Sequence, residues 1–172
     1  MAAALAVVDK VGLEALSLRA VARRARVSAP AVYWHFRDKR ALVAAVLAAL
    51  AARYTEAVEA TTGLDGALDA VIDFAVEHPR WYHALFRAPR ERARKPLRES
   101  DGGGTLGLLV VRVGEAMAAG RLRPGDAVSV ALTFAALVQG LVVLAERGRF
   151  ASREELRAFC RCSLQRLEEG LK

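Results

Sequence analysis

Tyr33, Trp34 and His35 stand side by side in a chain of 172 residues in which aromatics make up only 6%. Together they offer a phenolic hydroxyl, an indole N–H, an imidazole and three flat rings. Such groups can hydrogen-bond a phosphate or a base edge and pack against a sugar. Three consecutive positions on a helix fan out over more than half its circumference, so they cannot all lie on one packed face. Some of them face outward. Around them cluster Arg19, Arg23, Arg24, Arg26, Arg37, Lys39 and Arg40; residues 1–54 hold nine Lys/Arg against three Asp/Glu, a net +6, while the other 17 bases and 16 acids leave only +1. A basic N-terminal third on a near-neutral body fits a surface that meets a polyanion, although a solvated basic face has the same composition.

Other chemistry is harder to place. There is no glycine-rich phosphate loop, and no Ser/His/Asp or Cys/His arrangement can be assembled, so an enzyme is the weaker alternative. His78 and His83 lie five apart, which is not metal spacing on a helix, and His78 beside Pro79 suits a turn instead. Cys160 and Cys162 are the only cysteines. Two apart and without a second pair, they indicate neither a disulfide framework nor a zinc site, and a redox role is a minor alternative. No metal or cofactor is expected.

The elements that position these residues read as helices throughout. A 54% hydrophobic content with mean hydropathy +0.21 excludes a disordered chain, and no long run alternates with period two. The N-terminal third resolves into four helices. The first, about 2–11, ends at Gly12. Ser17 can cap a second carrying Leu18, Val21, Ala22 and Ala25 inward, and Ser28 a third with Ala29, Val32 and Phe36 inward and Pro30 in its first turn. Asp38 can cap a longer fourth with Leu42, Val43, Val46, Leu47 and Leu50 inside. Two short helices joined by a tight turn, the second basic and aromatic on its free face, form a helix-turn-helix. At 100° per residue Pro30, Ala31, Trp34 and His35 point away from the inward face, with Tyr33 on its flank.

Further on, Thr62 and Asp65 have capping-box spacing before Leu64, Leu68, Val71, Ile72, Ala75 and Val76. Pro79 opens a short helix holding Trp81, Tyr82, Leu85 and Phe86, residues 89–104 read as a mobile loop, and about 106–119 as a helix with Leu109, Val110, Val113 and Met117 inside. Arg123 to Asp126 start a long apolar helix, and Ser152 with Glu155 caps a last one repeating Leu156, Phe159/Cys160, Ser163/Leu164, Leu167 and Leu171 near heptad spacing.

Residues 17–47, SLRAVARRARVSAPAVYWHFRDKRALVAAVL, closely resemble the DNA-binding domain of the tetracycline-repressor (TetR) family. The carrying features are Leu16 to Arg19, Val27-Ser28, the Tyr33-Trp34-His35-Phe36 run, and Lys39 followed by Leu42. Beyond residue 50 the likeness reduces to the helical layout and to echoes such as Glu77-His78-Pro79 and Gly120 to Gly125. The resemblance implies an all-α fold. A three-helix DNA-binding domain, 1–50, is linked by a long helix to an effector-binding and dimerisation domain, 51–172. The DNA surface it implies comprises Arg19, Ser28, Ala29, Pro30, Ala31, Tyr33, Trp34, His35 and Lys39. Arg19 and Lys39 suit phosphate oxygens, Tyr33 can donate to one, Pro30 can press on a thymine methyl, and Trp34 can brace the helix against the sugar-phosphate wall. Amides at the start of the helix near Lys39 also favour phosphate. Three departures stand out. Ala29 and Ala31 replace the polar base readers common in relatives, leaving direct readout chiefly to His35. Arg26 stands where the turn usually has glycine, a strained place for a side chain. The chain begins almost inside its first helix, so the basic arm many relatives carry is missing, by nature or because residues precede Met1.

The implied partners are a near-palindromic operator in double-stranded DNA, a second copy of the chain, and a small, largely apolar effector. Phe74, His78, Tyr82, Phe86, Met117, Phe134 and Gln139 suit either an ordinary core or a pocket for that effector, with Gln139 the polar position inside an apolar helix. Ala131, Ala135, Ala136 and Gly140 would let the long helix approach its symmetry mate, and Leu156, Cys160, Leu164 and Leu167 would face the mate of the last helix. Residues 127–145 approach the length of a membrane span, but Ser129, Thr133 and Gln139 interrupt the run, no basic cluster precedes it, and it stands alone. A helix buried on all sides is the preferred reading, a small membrane-associated protein the alternative. The start lacks a secretion signal, so a cytoplasmic location is expected.

Overall fold

A computed structural model describes residues 1–87 and 105–171. These are helical: α1 (Ala2–Val11), α2 (Leu18–Ala25), α3 (Ala29–His35), α4 (Lys39–Glu59), α5 (Gly63–Glu77), α6 (Pro79–Arg87), α7 (Thr105–Ala118), α8 (Ala127–Glu146) and α9 (Arg153–Gly170). No strand occurs among the described residues. The loop expected over 89–104 falls outside them.

Side-chain caps start five of these helices, α2, α3, α4, α8 and α9. The Ser17 hydroxyl accepts the Ala20 N–H at 3.2 Å, Ser28 accepts Ala31 N–H at 3.4 Å, and Asp38 accepts Ala41 N–H at 2.8 Å. Each satisfies one of the four amides a helix leaves unbonded at its N-terminus, worth about 1 kcal/mol in a serine cap. Asp126 caps α8 through Val128 N–H and also accepts from the Ser129 hydroxyl at 2.6 Å. At α9 the capping box is displaced by one residue. Ser152 accepts Glu155 N–H, while the Glu155 carboxylate reaches the N–H of Ala151.

The helices form two compact units. The first takes Met1–Arg53 and α6. Ala4, Leu5, Val8, Leu16, Leu18, Val21 and Val32 are buried in it, as are Leu42, Val46 and Leu50 along one face of α4. A fully buried aliphatic side chain contributes about 1.5–3 kcal/mol, so this small unit rests on about ten such positions. Helix α6 is tied to α1: the Trp81 indole donates to Leu5 O at 3.3 Å, and the Arg80 guanidinium donates to Asp9 O at 2.8 Å and to Lys10 O at 2.5 Å. The Asp9 and Lys10 carbonyls end α1 and lack intrahelical partners, so a cation there is favourable. Trp81 also lies beneath the Arg53 guanidinium, 5.4 Å from the ring centroid, and stacks on His78 at 4.2 Å.

The second unit takes Tyr54–Glu77 and α7 to α9. Helix α5 runs through its middle, burying Leu64, Ala67, Leu68, Val71, Ile72, Phe74, Ala75 and Val76 against α7, α8 and α9. Along its outer side Asp65, Asp69 and Asp73 recur every fourth residue. They pair with Arg121, Arg161 and Arg157, Arg157 also reaching Glu77. In α7 the buried face is Leu109, Val113 and Ala116, with Val110 and Met117 half-buried beside it.

The expectation for α9 needs correction, while α8 is covered by its own chain on one side only. Ala131, Phe134, Val138, Leu141 and Val142 face the core, whereas Ser129, Thr133, Ala136, Gly140 and Leu144 form an open stripe. Its neighbours α5, α7 and α9 cover one side only. In α9 the heptad-like seam of Leu156, Cys160 and Leu164 packs on α5 and α8 of the same chain. These three, with Ala131, are therefore occupied internally and cannot present their side chains to a second copy. By length and composition alone, α4 and α8 could each cross a membrane, a test that core helices also pass.

Candidate nucleic-acid interface

The turn between α2 and α3 is Arg26-Val27-Ser28, and its geometry decides what α3 presents. Arg26 is the one non-glycine residue with positive φ among those described, at φ 57° and ψ 39°. The Val27 N–H donates back to Ala22 O at 3.1 Å, closing a helix-ending loop that needs a left-handed residue at position 26. The strain anticipated for Arg26 is thus present, and the turn is tight without glycine.

Beyond the turn, Val32 fixes the phase of α3 by burial, with Ala29 and Phe36 half-buried beside it. Pro30, Tyr33, Trp34 and His35 are exposed, Tyr33 at 51% and Trp34 at 89%. An indole so exposed gains nothing from folding, since almost none of its apolar surface leaves water. Ala31 is half-buried and offers only a methyl group. Ser28 spends its oxygen on the Ala31 amide and keeps its O–H free to donate.

Cations frame this face. Arg19, Arg23, Arg24, Arg26, Arg37, Lys39 and Arg40 are all exposed. Lys39 Nζ donates to Glu14 O at 3.1 Å, tying the start of α4 to the loop before α2, and the exposed ammonium keeps further N–H donors. Asp38 sits with Arg37 at 3.5 Å. The Ala41 amide it accepts, helped by Arg37, holds its carboxyl below the usual range. A carboxylate therefore already satisfies part of the α4 N-terminus, which leaves less of it to phosphate than the sequence suggested. Tyr33, Trp34, His35, Arg19 and Lys39 are thus all exposed in the first unit, whose outer side chains offer hydrogen-bond donors in excess of acceptors.

The residues singled out for an effector are not gathered in one unit. His78, Tyr82 and Phe86 lie on or next to α6 in the first. Tyr82 is fully buried with its ring 4.5 Å from that of Phe86, which is itself exposed at its edge. Phe74, Met117, Phe134 and Gln139 lie in the second. Phe74 packs its ring 4.9 Å from Tyr54, Phe134 is fully buried, and Met117 and Gln139 are half-buried. Of the residues set at a dimer face, Ala136 and Gly140 are open, Ala135 and Leu167 half-buried. Sequence reasoning missed the partners of Arg53, Arg80 and Trp81, which lie up to 76 residues away and leave no periodic signal.

Comparison with known proteins bears on both units. Residues 1–46 match the model described as bacterial regulatory proteins, tetR family, and residues 64–167 match tetracyclin repressor-like, C-terminal domain. The class A tetracycline repressor protein from transposon 1721 of Escherichia coli is 29% identical over 176 aligned positions, spanning 98% of this chain and 79% of that protein. Among solved structures, a protein of unknown function from Rhodococcus sp. RHA1 superposes with TM-score 0.76 at 29% identity, covering 99% of this chain and 92% of the other. A TetR variant from Acinetobacter baumannii AYE, solved in complex with minocycline, shares the fold with TM-score 0.62 at 23% identity, covering 98% and 92%.

Proposed function

The chain belongs to the tetR family of bacterial regulatory proteins, and from that premise we propose that it is a cytoplasmic repressor of transcription, binding a near-palindromic operator as a homodimer and released by a small, largely apolar effector. The observation that carries this reading is the outward face of α3. Trp34, Tyr33, His35 and Pro30 are held in solvent by a tight turn, at the edge of exposed cations, where they serve no core.

In this reading α3 enters the major groove. Tyr33 and Lys39 bind phosphates, Pro30 and Ala31 meet thymine methyl groups, and His35 supplies a hydrogen bond to a base edge. With alanine at 29 and 31, much of the specificity comes from methyl contacts and from the shape of the duplex. A two-fold dimer sets its recognition helices about 34 Å apart, one helical turn of DNA.

The dimer is built on the open stripe of α8, where Ala136 and Gly140 allow close approach and Leu144, 41% exposed, supplies apolar area, together with Phe159 of α9, 52% exposed. Effector bound among the apolar side chains of the second unit, Phe134, Phe74 and Met117, with Gln139 as the polar contact, favours a spacing of the recognition helices that no longer fits the operator.

The test is to replace Tyr33 by Ala and, separately, Lys39 by Ala. Each variant should bind duplex DNA more weakly in a gel-shift assay while sedimenting as the same dimer. Loss of the dimer in either, or unchanged DNA binding in both, contradicts this division of labour.

A further inference from the structure

The outer face of α2 carries arginines that the recognition helix does not account for. Taking Arg19 as the reference, Arg23 lies about 40° round the helix and about 6 Å along it, and Arg24 lies about 140° round. Buried Leu18, Val21 and Ala22 occupy the opposite side. Arg26 continues the line of Arg19 and Arg23 into the turn. All four are exposed, and none pairs with an acid among the described residues. Of the three acids in residues 1–54, Asp38 is engaged by Arg37 and by the start of α4, which leaves Asp9 and Glu14.

Like charges four apart on a helix repel, so setting Arg23 one turn after Arg19 costs stability unless an anion answers it. A helix dipole explains a base in the last turn of α2, but not the continuation of the line back to its first turn. The anion is extended, because the guanidinium groups are spread over about 10 Å between positions 19 and 26.

We propose that Arg23 and Arg24, with Arg26 behind them, bind backbone phosphates of duplex DNA beyond those reached by α3 and Arg19. This rests on the reading of the chain as a DNA-binding regulator. In a helix-turn-helix the first helix crosses the sugar-phosphate backbone while the second enters the groove, which puts the outer face of α2 against phosphates. Guanidinium matches a phosphate in a two-point hydrogen bond. Such pairs carry no sequence information. They add salt-dependent affinity to that of Arg19, Tyr33 and Lys39.

The experiment compares the unmodified protein with Arg23→Gln/Arg24→Gln and with Arg23→Lys/Arg24→Lys. Binding to a selected consensus duplex and to a random-sequence duplex of equal length is measured from 50 to 200 mM salt. The glutamine variant neutralises four fewer phosphates per dimer, and at about 0.9 each its logarithmic salt slope is shallower by about 3.6. Over that fourfold range the unmodified protein then weakens about 150-fold more than the variant. The lysine variant keeps the slope, and the selected consensus is the same for all three. If the glutamine double variant does not fold by circular dichroism, Arg23→Gln alone gives half the change. An unaltered slope overturns the proposal. So does a changed consensus, which makes the arginines base readers, or a change in assembly mass without DNA, which makes them part of a protein interface. Should the unmodified protein select no consensus, the regulator reading fails, yet the slope on random duplex still decides the role of α2.

Discussion

Arg26 carries strain and charge in one side chain, and glycine and alanine separate them. At φ 57° and ψ 39° it holds a left-handed conformation, which costs an L-residue about 1–2 kcal/mol through the clash of Cβ with the following carbonyl. Arg26→Gly removes that cost but frees the unfolded chain, returning about 0.4–1 kcal/mol to the unfolded state. The balance is a gain of about 0.5–1 kcal/mol, a rise in Tm of about 2–3 °C for a chain of this size. Arg26→Ala keeps Cβ and so keeps the strain, and its stability should stay within about 0.5 kcal/mol of the original, as exposed substitutions do. Both variants lose the guanidinium, so both should bind duplex DNA more weakly at low salt, and to the same extent. Urea and thermal melts by circular dichroism, paired with fluorescence anisotropy on a duplex, read the two effects apart. A glycine variant melting at or below the alanine variant would refute the left-handed turn. Unequal losses of DNA affinity would show that the backbone of the turn, and not the charge, was what changed.

Three further outcomes are expected. Phe134→Ala empties a fully buried site in α8 and should cost about 3–5 kcal/mol in a urea melt; a loss under about 1 kcal/mol would mean that the second unit is not packed there. Burial pushes the Cys160 thiol up to about 11, so at pH 8 only about one in a thousand is thiolate. Ellman's reagent should therefore titrate one thiol in the native protein, the exposed Cys162, and two in denaturant, and two fast thiols in the native state would contradict the burial. Gly140→Leu places a large side chain on the open stripe of α8, where its Cβ meets nothing within 4 Å among the described residues. It should leave the monomer folded and shift the sedimentation equilibrium towards monomer; an unchanged dimer would remove this stripe from the interface.

Local signals carried most of the fold. Ser17, Ser28, Asp38 and Ser152 were legible as caps because a polar side chain before an apolar 3.6-residue pattern has few other uses. The inward faces of α3 and α4 followed from the same periodicity, as did Leu18, Val21 and Ala22 in α2, whereas Ala25, expected inward, is exposed where α2 ends; the outward phase of Trp34 and His35 came with them. Periodicity gives the phase of a buried face and not the identity of what covers it. That is why Leu156, Cys160 and Leu164 read as a seam for a second chain when α5 and α8 of the same chain fill it. In α8, apolar residues on every side conceal which side its own chain covers. The placement of α6 with α1 depends on Arg80 and Trp81 finding backbone carbonyls 70 to 76 residues away. No local pattern encodes a hydrogen bond of that range.

The central claim is that the exposed face of α3 reads a two-fold operator. Selection of bound sequences from a random duplex pool by the purified protein tests it most directly, with the mass of the complex measured on the winning sequence. The account predicts an inverted repeat with half-sites about one helical turn apart, bound by two chains. A set of winners without symmetry, bound with uniform salt sensitivity and no preference over random duplex, would contradict it.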